Sequence, residues 1–124
     1  MPVTRALSRS PTGLPPTKTI RKTRAVGLFF ASGRRLNDGA LLLLVLPRDP
    51  GLEGEVFFVT PRKIGNAVLR NRVRRRMREV FRRCIYRFDD PWMYGWVAKR
   101  SAASLDFWRL REKMVALATR AREK

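Results

Sequence analysis

Four segments of the chain have the hydrophobic pattern of β-strands. Residues 40–46 read ALLLLVL and residues 55–60 read EVFFVT, each followed by a proline, and residues 92–99 read WMYGWVAK. Short apolar runs with such firm stops favour strands over helices. Residues 34–36 predict a shorter strand that turns at Asp38-Gly39 into residues 40–46. Because the run at 40–46 does not alternate with polar residues, we expect both faces of the sheet to be covered, at least in part.

Three other segments carry apolar residues at helical spacing. The first helix is predicted at residues 20–32, the second from its capping residue Asn66 for about 20 residues, and the third at residues 105–122 with Ser104 as its cap. Their apolar positions are Val26, Phe29 and Phe30 in the first helix, Leu69, Val73, Met77, Val80, Phe81 and Cys84 in the second, and Phe107, Leu110, Met114, Leu117 and Ala121 in the third.

The order of these elements, α-β-β-β-α-β-α, predicts an α+β fold, a two-layer sandwich with a four-stranded mixed sheet. We expect residues 40–46 and 55–60 to pair antiparallel as a hairpin. Residues 92–99 are reached through the second helix and should lie parallel to residues 55–60. Three tryptophans are expected to belong to the core: Trp92, Trp96 and Trp108.

Composition divides the chain into two parts. Residues 1–19 are rich in proline and carry no acidic residue, which predicts a flexible basic arm without the apolar segment of a secretory signal. Residues 20–124 are expected to form a single domain. No apolar run approaches the length that spans a bilayer, so no membrane segment is expected.

The charge of the chain indicates a polyanionic partner. There are 28 Lys and Arg against 10 Asp and Glu, a net charge of +18. The chain has no histidine and a single cysteine, Cys84, which leaves no imidazole chemistry, no intrachain disulfide and no cysteine-rich metal site. The acidic residues do not suggest a two-metal nuclease. We therefore expect a protein that binds nucleic acid in a reducing compartment, with no catalytic residue and no metal of its own.

The second helix concentrates this charge around one narrow apolar stripe. Almost all of its remaining circumference is arginine: Arg70, Arg72, Arg74, Arg75, Arg76, Arg78, Arg82 and Arg83. A solvated surface usually mixes Lys with Glu, and only Glu79 is present here to offset the repulsion between like charges. Arginine offers phosphate a planar fork of donors and stacks on bases. The pattern therefore predicts a helix that binds a polyanion.

The block around this helix resembles the protein subunit of bacterial ribonuclease P. That family carries the pattern K-x-G-x-A-x-x-R-N-R-x-[KR]-R-x-x-R-E, known as its RNR motif. The matching positions are Lys63, Gly65, Ala67, Arg70, Asn71, Arg72, Arg74, Arg75, Arg78 and Glu79. The likeness extends more weakly over residues 20–121 and includes the order of the elements.

The resemblance implies a fold, a function and partners. The fold would be of the ribosomal protein S5 domain 2-like type, with a left-handed β-α-β crossover through the arginine helix. The protein would be a cytoplasmic, non-catalytic subunit in a 1:1 complex with ribonuclease P RNA. That RNA would bind Mg²⁺ and remove the 5′ leader of precursor tRNA, and neither DNA nor membrane would be a partner.

The resemblance also implies two groups of RNA-contacting residues. Contacts to ribonuclease P RNA would come from Arg70, Asn71, Arg72, Arg74, Arg75 and Arg78, and contacts to the single-stranded leader from Val26, Phe30, Arg35, Arg62 and Lys63. Four positions depart from the family pattern. Pro61 stands where a small hydroxyl residue or alanine is common, and Arg76 where an apolar residue is common. Val26 stands where an aromatic residue is common, and Phe57 where a small residue is usual in the strand before the motif.

Three other functions remain open from the residues alone. A structural protein of the ribosomal type would explain the charge and the missing catalytic residues equally well. A sequence-specific DNA-binding protein could place the arginine helix in a major groove, but it would need base-reading side chains and usually a dimer surface. A membrane-surface protein would need a wider apolar face on that helix.

Overall fold

The computed structural model describes residues 23–49 and 56–123. In chain order the main elements are α1 (Thr23–Ser32), β1 (Arg34–Asn37), β2 (Leu41–Pro47), β3 (Val56–Val59), α2 (Ala67–Val80), β4 (Trp92–Ala98) and α3 (Phe107–Arg122). This order confirms the predicted α-β-β-β-α-β-α architecture and its α+β class. The predicted arm at residues 1–19 and the first residues of the predicted first helix lie outside the described residues.

The sheet has the strand order β1-β2-β4-β3. β2 is antiparallel to both β1 and β4. β3 is parallel to β4, as predicted. The predicted hairpin between residues 40–46 and 55–60 is wrong, because β4 lies between these two strands. β2 and β4 pair along seven residues each, whereas β3 has only four and pairs with β4 as an edge strand. The left-handed crossover implied by the resemblance stays a prediction.

Both faces of the sheet are covered, as the apolar run in β2 predicts. Leu41, Leu43 and Val45 face α2 and α3 and belong to the larger core. Leu44 faces the other way and packs with Phe29 of α1 in a smaller cluster. Consecutive side chains of a strand point to opposite faces, so one unbroken apolar run supplies both cores.

Phe57 in the smaller cluster lies against a residue without a side chain. Phe57 and Gly95 are register partners in β3 and β4. A Cβ atom on Gly95 would come within 2.2 Å of the Phe57 ring. The ring of Phe57 also packs edge-to-face against the ring of Phe29, with the two centroids 4.9 Å apart. The bare backbone of Gly95 therefore accommodates the large residue at position 57.

The start of α2 is capped as predicted. The Asn66 side chain accepts a hydrogen bond from the Leu69 backbone N–H at 2.9 Å. The helix then runs from Ala67 to Val80 and continues as one π-helical segment, Phe81–Ile85. Of its predicted apolar stripe, Val73, Met77, Val80 and Phe81 are buried and Leu69 and Cys84 are partly buried.

Replacing Asn66 with alanine should lower the free energy of unfolding by about 1 kcal/mol, because an amide at the first turn of α2 loses its acceptor. Urea denaturation followed by circular dichroism would measure the change. Asn66→Asp keeps an acceptor and should remain close to the wild-type stability. An Asn66→Ala protein as stable as the Asp variant would show that the cap contributes nothing.

Two predictions about the last helix are wrong. Its cap is Asp106, whose carboxylate accepts from the Arg109 N–H at 2.8 Å, while Ser104 ends a preceding 3₁₀ turn. Trp108 is 69% exposed rather than part of the core. It lies about 160° around the helix from Leu110, at 100° per residue, and so points away from the sheet. Trp96 is fully buried and Trp92 is partly buried.

A buried polar network lies at the C-terminal end of α3. Asp90 is 4% exposed. Its carboxylate accepts hydrogen bonds from the Tyr94 hydroxyl at 2.7 Å and from Arg122 Nη2 at 2.8 Å. The same Arg122 nitrogen donates to the Ile85 carbonyl at 2.7 Å. These bonds join the end of the π-helical segment, the start of β4 and the end of α3.

The surroundings of this network fix its protonation. Burial raises the pKa of the Tyr94 phenol, and the hydrogen bond to Asp90 raises it further, so the phenol remains a donor. Burial opposes the charge on Arg122, but the bond to Asp90 and the neighbouring oxygens outweigh it. The pKa of Arg122 therefore lies above its usual value.

Candidate RNA interface

The arginines of α2 divide into two flanks with different neighbours. On the flank towards β3, Arg70 Nη1 donates to the Gly65 carbonyl at 3.3 Å, and Arg74 Nη2 donates to Thr60 Oγ1 at 2.7 Å. The guanidinium of Arg78, on the same flank, lies 5.9 Å from the centre of the Phe58 ring. These contacts hold the three side chains in place. Of the five donors on each guanidinium, the bonds of Arg70 and Arg74 use only some.

The opposite flank of α2 faces α3. Arg76 Nη1 donates to the Leu105 carbonyl at 2.9 Å, which ties the middle of α2 to the segment before α3. Further along this flank, Glu79 forms an ion pair with Arg83. Glu79 is the acidic residue expected to offset the repulsion among these arginines, and it does so through Arg83. Arg76 was absent from the predicted RNA-binding set, although its position on the helical wheel placed it on this flank.

Arg75 lies on the face of α2 opposite its apolar stripe, and Arg72 lies on the flank towards α3. Both are exposed, and neither makes a hydrogen bond or an ion pair with any residue in the ranges 23–49 and 56–123. Asn71 is also exposed and accepts from Arg74 Nη1 at 2.8 Å. Two exposed guanidinium groups one turn from further arginines raise the free energy of the folded chain slightly, and a bound phosphate would reverse this cost.

Three predicted leader-binding residues meet on the other face of the sheet. Phe30 is 38% exposed at the end of α1, with its ring centroid 6.5 Å from that of Phe57. Arg35 Nη2 donates to the Phe30 carbonyl at 3.1 Å, so its cation lies at the backbone of this residue at the end of α1. Val26 is partly buried against the small cluster beneath them. We call Val26, Phe30 and Arg35 the α1 surface.

Arg62 and Lys63 are placed separately from the α1 surface. Both are exposed in the 3₁₀ turn Arg62–Ile64, which follows the edge strand β3. Arg34, the neighbour of Arg35 in β1, donates to the Ala121 carbonyl at 3.0 Å on the face of the sheet that α2 and α3 cover. Neighbouring residues of β1 point to opposite faces, which separates Arg34 from Arg35.

Nothing in the described ranges forms a metal-binding cluster of three or more His, Cys, Asp or Glu residues. Within the same ranges, no helix has the length and apolar character needed to cross a membrane. The exposed arginines and the partly exposed Phe30 ring offer charge, hydrogen-bond donors and an aromatic face to a ligand.

The sequence matches a family model described as Ribonuclease P over residues 14–122. The ribonuclease P protein component of Desulfovibrio desulfuricans is 36% identical over 112 residues, covering 86% of this chain and 85% of that protein. The corresponding protein of Symbiobacterium thermophilum is 35% identical over 92 residues, covering 74% and 80%.

Two solved structures have a similar fold. The RNase P protein from Thermotoga maritima gives a TM-score of 0.71 at 27% identity, covering 83% of this chain and 96% of that chain. The Staphylococcus aureus RNase P protein gives a TM-score of 0.72 at 17% identity, covering 84% and 94%, which is a likeness of fold alone.

Proposed function

The chain belongs to the ribonuclease P protein family, and on this premise we propose that it binds ribonuclease P RNA through α2 and the single-stranded 5′ leader of precursor tRNA through the α1 surface. Membership makes it a subunit of a tRNA-processing ribonuclease. The observation that carries the RNA-binding part of the proposal is the pair Arg72 and Arg75, exposed and without partners among the described residues.

The ribonuclease P RNA would lie along α2. Arg72 and Arg75 would bind phosphates with charge-assisted, bidentate hydrogen bonds, because no described residue competes for their donors. Arg70, Arg74 and Arg78 would add contacts from a fixed position, since each already touches Gly65, Thr60 or Phe58. Asn71 would bond sugar or base edges with its amide.

The leader would lie against the α1 surface. The partly exposed ring of Phe30 offers a stacking face for one base, and Arg35, bonded to the Phe30 carbonyl, offers a cation for the leader backbone. Val26 gives less stacking area than an aromatic residue would. Arg62 and Lys63, at the end of β3, would follow the leader backbone beyond this surface.

In this proposal the chemistry belongs to the RNA. Mg²⁺ would be bound by ribonuclease P RNA, and the protein would contribute neither a catalytic residue nor a metal ligand. The protein would act as a cytoplasmic monomer in a 1:1 complex with the RNA. A ribosomal-type role without a nuclease partner is the alternative outcome of the test below.

The test is precursor-tRNA cleavage by a bacterial ribonuclease P RNA at low Mg²⁺, with and without this protein. We expect cleavage only when the protein is present, and none by the protein alone. Binding should weaken as salt rises, with a log–log slope of roughly −0.7 to −0.9 per phosphate contact. Unchanged cleavage, together with equal affinity for 16S ribosomal RNA, would contradict the proposal and favour the ribosomal-type role.

A further inference from the structure

Trp108 is the largest exposed aromatic side chain on the face of the sheet that α2 and α3 cover. It is 69% exposed in the first turn of α3. The ring of Phe107 packs edge-on against it, with centroids 5.3 Å apart, which restricts the orientation of the indole. Exposing a large aromatic side chain to water is unfavourable relative to burying it. Such a residue indicates a binding site where the residues around it suit one kind of ligand.

The side of α3 that carries Trp108 faces α2. Arg122 lies eleven residues after Arg111, which is about three helical turns, so the two project from the same side. Arg122 reaches the Ile85 carbonyl at the end of the α2 extension. Trp108 is one turn before Arg111 on this side. The opposite side of α3 carries Lys113, which reaches Asp38 in the turn between β1 and β2.

The facing flank of α2 brings further arginines to the same place. Arg76 bonds the carbonyl of Leu105, three residues before Trp108. Arg72 is one turn earlier on this flank, exposed and without a partner among the described residues. Arg111 is exposed as well. Trp108 therefore lies on the side of α3 that faces α2, where Arg72, Arg76 and Arg111 outnumber the acidic residues Glu79 and Glu112, and Glu79 is already paired with Arg83.

We infer that Trp108 stacks on an unpaired base of ribonuclease P RNA whose adjacent phosphates are bound by Arg72, Arg76 and Arg111. This rests on the proposed function and extends the interface from α2 to α3. A protein partner would need a contiguous apolar patch, whereas the exposed residues one turn after Trp108 on α3 are Arg111 and Glu112. An aromatic face among cations is the arrangement that binds unpaired nucleotides. This side of α3 lies on the α2 face of the sheet, away from the α1 surface, which assigns the base to ribonuclease P RNA rather than to the leader.

The test compares Trp108→Ala with a matched aromatic variant, Phe88→Ala. Phe88 is 77% exposed but lies near Asp90, at the far end of α3 from Trp108. We expect Trp108→Ala to lose about 10-fold in affinity for ribonuclease P RNA, because a base–aromatic stack is removed. Its salt slope should match the wild type, since no phosphate contact is lost. Phe88→Ala should bind within twofold of the wild type.

Fluorescence separates stacking from an indirect effect. Adding ribonuclease P RNA should quench the wild-type tryptophan emission, and Trp108→Phe should remove most of this quenching while keeping most of the affinity. Binding of precursor tRNA to the preassembled complex should be the same for Trp108→Ala and the wild type. A loss confined to precursor-tRNA binding would overturn the assignment of the base.

The inference fails if Trp108→Ala binds ribonuclease P RNA as tightly as Phe88→Ala and the wild type does. In that case a wild-type protein that still stimulates cleavage at low Mg²⁺ would leave the proposed function standing. A wild-type protein that neither binds this RNA preferentially nor stimulates cleavage would defeat the proposed function itself.

Discussion

The double variant Arg72→Ala/Arg75→Ala should lose about 100-fold in affinity for ribonuclease P RNA. Each side chain is exposed, and no described residue holds its guanidinium donors, so its removal takes away RNA contacts without disturbing the fold. A hydrogen bond to a charged group contributes about 1.5 kcal/mol or more, and two such losses of about 1.5 kcal/mol correspond to the stated factor. The salt slope should become shallower by roughly 1.4 to 1.8.

A matched control separates specific contact from general charge. Arg109→Ala/Arg120→Ala removes the same two positive charges from exposed positions on the side of α3 that faces away from α2. It should reduce affinity far less than the α2 double variant does. Both proteins should retain the wild-type free energy of unfolding within about 0.5 kcal/mol. Equal losses of affinity in the two double variants would mean that only net charge attracts the RNA.

Asp90→Ala should lower the free energy of unfolding by about 3 kcal/mol. The substitution removes the acceptor of both Tyr94 and Arg122 and leaves a partly buried guanidinium without its carboxylate. Breaking such a pair from one side costs more than the pair contributes, because the remaining charge stays desolvated. The loss is a large share of the 5–15 kcal/mol that stabilises a typical domain.

Urea denaturation would measure this effect, with Asp89→Ala as the control. Asp89 is the exposed neighbour of Asp90, and its replacement should change the free energy of unfolding by less than about 0.5 kcal/mol. Asp90→Asn retains an oxygen acceptor and should lie between the two alanine variants. Equal stability of Asp90→Ala and Asp89→Ala would show that the network does not stabilise the domain.

The sequence predicts the elements of this fold well because their signals are local. The cap at Asn66 and the apolar stripe of α2 each depend on residues within a few turns, and both are confirmed. Strand pairing is not local. The predicted hairpin fails because β4, which comes later in the chain, offers β2 a longer partner than β3 can. The prediction of the α3 cap fails because Ser104 and Asp106 are both good capping residues. Ser104 belongs to the preceding 3₁₀ turn, which leaves Asp106 as the cap.

The candidate interface is predictable as a pattern but not in its detail. The helical wheel separates the arginines of α2 from its apolar stripe, and the structure agrees. It does not reveal that Arg74 meets Thr60 while Arg76 meets Leu105, because these partners come from distant parts of the chain. Trp108 was assigned to the core on residue type alone, although its angular distance from Leu110 already argued for the surface.

The contact between Phe57 and Gly95 limits the order in which this sequence can change. While Phe57 is present, an alanine at position 95 would place its Cβ within 2.2 Å of the ring, so the smallest possible side chain is already excluded. The three atoms nearest to that Cβ all belong to the Phe57 ring, so a small residue at position 57 would remove this clash. The two positions therefore show sign epistasis: a substitution at Gly95 that is harmful in the present background becomes acceptable only after the ring has been lost.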